Sequence, residues 1–264
     1  MNHEIAASVL LAVAVLVARV GVALSMFPMF GGSALPGSVR ATVVAGLSLC
    51  LLPVLGTEGL QTLGRLDGIA LALLLAKEVA LGVVLGLAGS MVFWAVHAAG
   101  AVIENQAGLS MAATIDPLAG EEDSMLGGLL VQVLSVLFLA AGGLLSLLAV
   151  LYESFRVWPI ATLGPTLDPA LWLNAAQQMM RALGELALRV AAPFVLLMLM
   201  VEFGLGLLGR YAPQLQVFFL ALPVKVALLV VLLMLYLGLM ADGAASLLLP
   251  DVVGAMRRLF VPER

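Results

Sequence analysis

The chain has 264 residues, of which 63% are apolar and only 11% charged, with a formal net charge of −4. A soluble globular domain carries roughly 25% charged residues, so this composition, with its mean hydropathy of +1.18, excludes a chain whose main solvent is water. No basic stripe or block could follow a phosphate backbone, which excludes nucleic acid as a partner, and Cys50 stands alone, so there is neither an intrachain disulfide nor a cysteine-based metal site.

The N-terminus Met1-Asn2-His3-Glu4 lacks the basic stretch of a cleaved signal, and Arg19 follows the first apolar run instead of preceding it, so that run is expected to be retained as a span. Six apolar segments follow in order: Ile5 to Phe27, Val39 to Leu55, Ile69 to Val102, Met125 to Leu151, Leu186 to Leu208, and Phe218 to Met240. A helix needs about 20 residues to cross the hydrocarbon slab, so the pattern predicts an all-α, polytopic membrane-type helical bundle forming a single integral membrane domain over 1–264. The third segment exceeds one span and must tilt, break or project from the membrane. Its Gly82, Gly86 and Gly89 predict a close-packing face.

The connectors carry turn chemistry: Phe27-Pro28-Met29-Phe30-Gly31-Gly32, Leu35-Pro36-Gly37, Leu163-Gly164-Pro165 and Arg210-Tyr211-Ala212-Pro213. The polar interlude Asp168 to Glu185 reads as a short amphipathic helix lying at the interface, and Trp158 and Trp172 suit an aromatic belt. Arg65, Arg156, Arg181, Arg257, Arg258 and Arg264 fall on the termini side and Arg40 and Arg210 on the other, which favours cytoplasmic termini.

Charges inside apolar runs are the first candidates for function, because each costs about 3 kcal/mol near the bilayer centre unless paired or wet. They are Arg19, Lys77, Glu78, His97, Arg189, Glu202 and Lys225. One reading pairs them across helices or turns them to a partner or a water-filled space; the other is a stand-alone secondary transporter working through Arg189, Glu202 and Lys225. Lys77 and Glu78, being adjacent, point to different faces and are not expected to pair within the helix. Two histidines, His3 and His97, are too few for a His-rich metal site, and no nucleophile elbow or phosphate-cradling glycine loop is present, so no catalytic, cofactor-binding or metal-ligating residue is expected. Gly127-Gly128 and Gly142-Gly143 read as small packing faces.

The most unusual segment runs from Glu104 to Ser124. It holds five acids and no base, and Gly108, Pro117 and Gly120 interrupt any long helix. An ordinary exposed loop would not need Leu109, Met111, Ile115 and Leu118, so these side chains are expected to pack into something; a surface loop with a short amphipathic turn is the alternative.

Three groups of residues resemble one family along nearly the whole chain. They are Phe27-Pro28-Met29-Phe30 with Leu35-Pro36-Gly37-Ser38-Val39-Arg40, Asn105-Gln106-Ala107-Gly108 with Asp116-Pro117, and Arg210 to Phe219 with Leu222-Pro223-Val224-Lys225. The family is the FliR/SctT membrane components of the type III export apparatus of flagella and virulence injectisomes. Glu121-Glu122-Asp123-Ser124, the Tyr152 to Pro159 stretch and Arg210 to Phe219 resemble the injectisome branch more than the flagellar one. The resemblance implies a structural, non-enzymatic subunit of a helical hetero-oligomeric export gate, without cofactors, in the bacterial inner membrane within the secretion basal body. Implied partners are the P/R-type and Q/S-type gate subunits, the U-type switch protein, exported unfolded polypeptides and membrane lipid. It also implies that the loop after the third segment is a pore plug: Gly108, Leu109, Ser110, Met111, Ile115, Asp116, Pro117, Leu118, Glu121, Glu122 and Asp123. Arg40, Gly82, Gly86, Gly89, Arg189, Glu202, Arg210 and Lys225 are expected to serve assembly or lumen polarity.

Overall fold

The computed structural model describes residues 2–31, 35–55, 63, 67–109, 124–160, 169–211 and 220–238. Among them all regular elements are helical: α1 (Asn2–Ser25), α2 (Gly37–Leu51), α3 (Gly68–Ala107), α4 (Met125–Ala140), α5 (Gly143–Val157), α6 (Pro169–Tyr211) and α7 (Leu220–Gly238), with short 3₁₀ turns at Pro28–Phe30 and Leu52–Leu55. Two compact units form. One comprises Met1–Met91 and Gly142–Met179, the other Val92–Ala141 and Met180–Leu248. The single helix α3 contributes its first part to the former and its second part to the latter.

In the first unit α1 buries Ala12, Val15, Leu16, Arg19, Val20, Ala23 and Leu24, a stripe recurring every three to four residues, as a helix with one packed face requires. Proline precedes both neighbouring helical pieces: Pro28 opens the 3₁₀ turn and Pro36 sits just before α2, where a missing N–H costs nothing. The glycines of α3 let its backbone touch that of α1. A Cβ on Gly82 would stand 2.7 Å from the carbonyl oxygen of Arg19, and one on Gly86 would stand 2.8 Å from that of Ala23 and 2.7 Å from Met26 Cγ. Gly89 is buried too. The close-packing face thus meets a helix of the same chain. α5 closes this unit with Leu147, Val150, Leu151, Ser154 and Phe155.

In the second unit α4 buries Leu126, Gly127, Leu130, Leu134 and Phe138, and Phe138 meets Phe93 of α3 edge to face at 5.6 Å. A Cβ on Gly127 would stand 2.7 Å from the His97 carbonyl, so the α3–α4 crossing depends on that glycine, whereas Gly128 faces open space. Phe194 of α6 and Tyr236 of α7 make a second edge-to-face pair at 5.4 Å.

The third apolar segment is unbroken, one 40-residue helix, about 60 Å long at 1.5 Å per residue, twice the hydrocarbon thickness, which leaves tilt or projection of the alternatives expected for it. Two expectations change. The polar stretch before the fifth segment is no separate interfacial helix: α6 is continuous over 43 residues from Pro169 and passes through Pro193. Gly142 is a break and not a packing face, for it adopts φ 81° with open space around it, and α4 ends and α5 begins there. Among the described residues, three helices are long and apolar enough to cross a membrane, or four if the bent pair α4–α5 counts as one span; Val9–Ser25 and Gly37–Leu51 fall short.

Candidate functional site

The last turn of α3 leaves carbonyls that no helical N–H can reach. Gly108 closes it in the left-handed conformation, φ 83°; its N–H donates to Asn105 O at 3.1 Å and the Leu109 N–H donates to Glu104 O at 3.2 Å. These two bonds make a Schellman motif, which glycine favours because it bears no Cβ. The next carbonyl, that of Gln106, accepts instead from Lys225 Nζ of α7 at 3.2 Å. Lys225 Nζ also lies 3.3 Å from Glu202 Oε2 of α6, and the same carboxylate oxygen accepts from Gln106 Nε2 at 3.3 Å. Gln106, Lys225 and Glu202 therefore close a ring joining three helices. Lys225 is 8% exposed, and its charge is offset by the carboxylate and by the negative end of the α3 dipole.

A second tie joins α3 to α4. Glu104 Oε2 accepts from Ser124 Oγ at 2.5 Å and from the Leu126 N–H at 3.1 Å, while Ser124 Oγ accepts from the Gly127 N–H at 3.0 Å. Ser124 is thus the N-cap of α4, and Glu104 satisfies another of the first amides of that helix. The two ends of the Glu104–Ser124 segment are pinned together.

The first unit holds the other polar cluster. Arg19 Nε donates to Glu78 Oε2 at 2.5 Å with both side chains fully buried. Its Nη1 donates to Ser154 Oγ at 3.2 Å, its Nη2 to Trp158 O at 3.1 Å, and the guanidinium lies 4.0 Å from the Phe155 ring centroid. Lys77 Nζ donates to the carbonyls of Pro159 and Ile160, each at 3.3 Å. Three successive carbonyls past the end of α5 thus accept from two cations on α1 and α3. Contrary to expectation, Lys77 and Glu78 do pair, at 3.0 Å. A four-carbon stem curls round the helix surface despite the divergent Cβ directions. That Glu78 oxygen, Oε1, has charge contact without an aligned hydrogen bond.

Of the sequence-predicted residues, Lys225 and Glu202 come together, and Gly108 and Leu109 open the segment beside them. Arg189 lies exposed and 3.8 Å from Glu185, one turn away on α6; Arg210 is exposed at the end of α6 and Arg40 is half-buried on α2. Ser110, Met111, Ile115, Asp116, Pro117, Leu118, Glu121, Glu122 and Asp123 lie outside the described residues. Sequence reasoning did not single out Gln106, Glu104 and Ser124 as polar ties. Ser124 immediately before an apolar run carries a readable N-cap signature, but nothing local indicates that Gln106 faces Lys225.

An apolar chain whose spanning helices carry buried, paired charges defines a polytopic helical membrane protein. Residues 10–249 match the family described as bacterial export proteins, family 1, and the chain belongs to it. It is similar to Yop proteins translocation protein T of Yersinia pestis, at 34% identity over 80% of this chain and 79% of the relative. It is similar to surface presentation of antigens protein SpaR of Salmonella typhimurium, at 33% over 83% and 80%. With flagellar biosynthetic protein FliR of Pectobacterium carotovorum it shares 29% identity over 87% and 85%. The expected leaning toward the secretion branch over the flagellar one agrees with these identities.

Proposed function

We propose that this chain, a structural subunit of the type III secretion export apparatus, forms part of the wall of the export conduit and supplies its plug through the segment after α3. The observation that carries the reading is the family match over residues 10–249, joined to the mixed composition of Gly108 to Ser124. A conduit wide enough for an extended polypeptide leaks ions at rest unless filled. Leu109, Met111, Ile115 and Leu118 supply apolar contact that stays dry, and a dewetted constriction blocks ions without binding them. No catalytic group in this chain is required, because the driving force acts elsewhere in the apparatus.

The chain assembles with other export-gate subunits. The finer partners in this reading are the P/R-type and Q/S-type subunits and the U-type switch protein, in the bacterial inner membrane within the basal body. The apolar faces of α6 and α7 leave surface for other subunits or lipid to cover: only 22% and 11% of their apolar 18-residue stretches are buried, against 67% for α3. A stand-alone transporter built on Arg189, Glu202 and Lys225 is not favoured, since Lys225 and Glu202 pair with each other and Arg189 with Glu185.

The test removes Gly108 to Thr114 and measures conductance or small-molecule uptake in cells expressing the full gate. The deletion complex assembles and leaks; an assembled deletion complex as tight as the parent would rule out the plug. Recovery of the parent chain with unlike membrane subunits supports the gate, whereas a functional homo-oligomer would support the transporter.

A further inference from the structure

Between Arg189 and Arg210, α6 runs through residues 190–209 with Glu202 as its only charge. At 1.5 Å per residue that stretch spans about 30 Å, the thickness of the hydrocarbon layer. Glu202 stands eight residues before Arg210, about 12 Å along the axis, which puts it deep in the stretch. There a carboxylate facing lipid costs about 3 kcal/mol. Its pairing with Lys225 covers one side only: the Glu202 side chain stays 55% exposed, whereas that of Lys225 is 11% exposed. The carboxylate is therefore the accessible member and the ammonium the enclosed one. The end of α3 lies at the same level, since Lys225 Nζ holds the Gln106 carbonyl and Gln106 Nε2 donates to Glu202. Asn105 is exposed there, and at Gly108 the backbone leaves helical geometry. Polar groups and non-helical backbone at membrane depth persist only inside protein or against a water-filled cavity. A covering subunit would have to bring a second cation to a carboxylate that already has one, and a partner for Asn105 as well; water satisfies both. Phe203, about 100° further round the helix, is 72% exposed and joins Leu196 and Met200 in a face without polar groups. That face suits lipid or an apolar neighbour, so α6 meets different surroundings on different sides.

We propose that Glu202 lines the water-filled export conduit and meets the basic side chains of the polypeptides that pass through it. This rests on the reading of the chain as conduit wall and names a residue that faces the passage. The pair with Lys225 is neutral as a whole, yet with its ammonium enclosed it presents negative charge to the water. A lysine or arginine of an extended chain is attracted there, and in wet surroundings the attraction is weak enough to let it leave again.

The experiment uses the full gate in a Cys50→Ser background, because Cys50 is the only native thiol of this chain, with Glu202→Cys, Asn105→Cys or Phe203→Cys introduced one at a time. Labelling by charged, membrane-impermeant thiol reagents is timed with and without an export substrate fused to a domain that does not unfold, which stalls in the passage. Co-purification of the other gate subunits is followed in parallel. Glu202→Cys reacts at least about tenfold faster than Phe203→Cys, because the reactive thiolate forms only where water reaches it, and the stalled substrate slows it. At Asn105→Cys, which keeps the carboxylate, a cationic reagent outpaces an anionic one, and adding Glu202→Gln removes that preference. Where Glu202→Cys fails to assemble, Asn105→Cys decides. A Glu202→Cys complex labelled no faster than Phe203→Cys, labelling that the stalled substrate leaves unchanged, or a charge preference at position 105 that survives Glu202→Gln overturns the proposal. If the chain is recovered with unlike subunits while these results go against it, this inference alone falls; if the chain is recovered as a functional homo-oligomer, the gate reading falls with it.

Discussion

Arg19 and Glu78, 59 residues apart in sequence, meet inside the first unit as a fully buried ion pair, and the arginine goes on to hold Ser154 Oγ and the Trp158 carbonyl. Removing one partner of such a pair leaves an uncompensated buried charge, which costs about 3–5 kcal/mol. Arg19→Leu is therefore strongly destabilising and Glu78→Leu comparably so, read as loss of folded chain in detergent by thermal or proteolytic challenge. The double change Arg19→Leu with Glu78→Leu is milder than the sum of the single changes, because it leaves neither a buried guanidinium without its carboxylate nor a buried carboxylate with only Lys77 to offset it. Full additivity of the three variants would contradict the pairing.

Gly86 stands against the backbone of α1, whereas Gly46 of α2 meets nothing within 4 Å. Gly86→Leu must push two backbones apart, and overpacking of this kind costs about 1–3 kcal/mol. Gly46→Ala gains about 0.5–1 kcal/mol by limiting backbone freedom in a helix interior. The two glycines thus differ in sign, and thermal shifts of the purified complex check it. A tolerated leucine at position 86 would show that α1 and α3 are not in close contact there.

Ser124→Ala removes the N-cap of α4 and one of the bonds to Glu104. Caps of this type contribute about 1 kcal/mol, so the amides of Leu126 and Gly127 should exchange with solvent several-fold faster, while those of Leu134 in the middle of α4 stay unchanged. Equal acceleration along the whole helix would mean that the cap is not local.

At Gly108 the left-handed φ of 83° makes substitution costly in a graded way. A residue with a Cβ pays about 1–2 kcal/mol there, asparagine less than most. Gly108→Asn should keep more of the parent stability than Gly108→Ala, and Gly108→Val least, measured on the assembled complex. Equal stability across the series would show that the turn can relax.

Ile69 to Val102, Leu186 to Leu208 and Phe218 to Met240 were legible as spans because the bilayer imposes a length on any helix that crosses it, whereas the segment Met125 to Leu151 bends between α4 and α5, and Val9–Ser25 and Gly37–Leu51 fall short of that length. That Lys225 and Arg19 need partners was legible too, because a buried charge cannot stay alone. Which partners they take was not, since Arg19 to Glu78 and Lys225 to Gln106 O are long-range choices made by packing. The continuity of α6 escaped hydropathy because backbone hydrogen bonding is indifferent to the polarity of Gln177, Gln178 and Arg181 outside it. Lys77 and Glu78 show the limit of face arguments: Cβ direction governs short side chains, not the tip of a lysine. Gly142 was read for its size, whereas its positive φ is what the fold uses.

The sparse burial of α6 and α7 ties the folded state to mass action. A surface left uncovered within the chain is covered by whatever binds it, and anything that binds the folded form raises its apparent stability with its own concentration. The melting temperature of this protein is therefore a property of the mixture in which it is measured, rising as partner subunits are titrated in. A cell that makes too little of those partners weakens this subunit without changing a single residue of it.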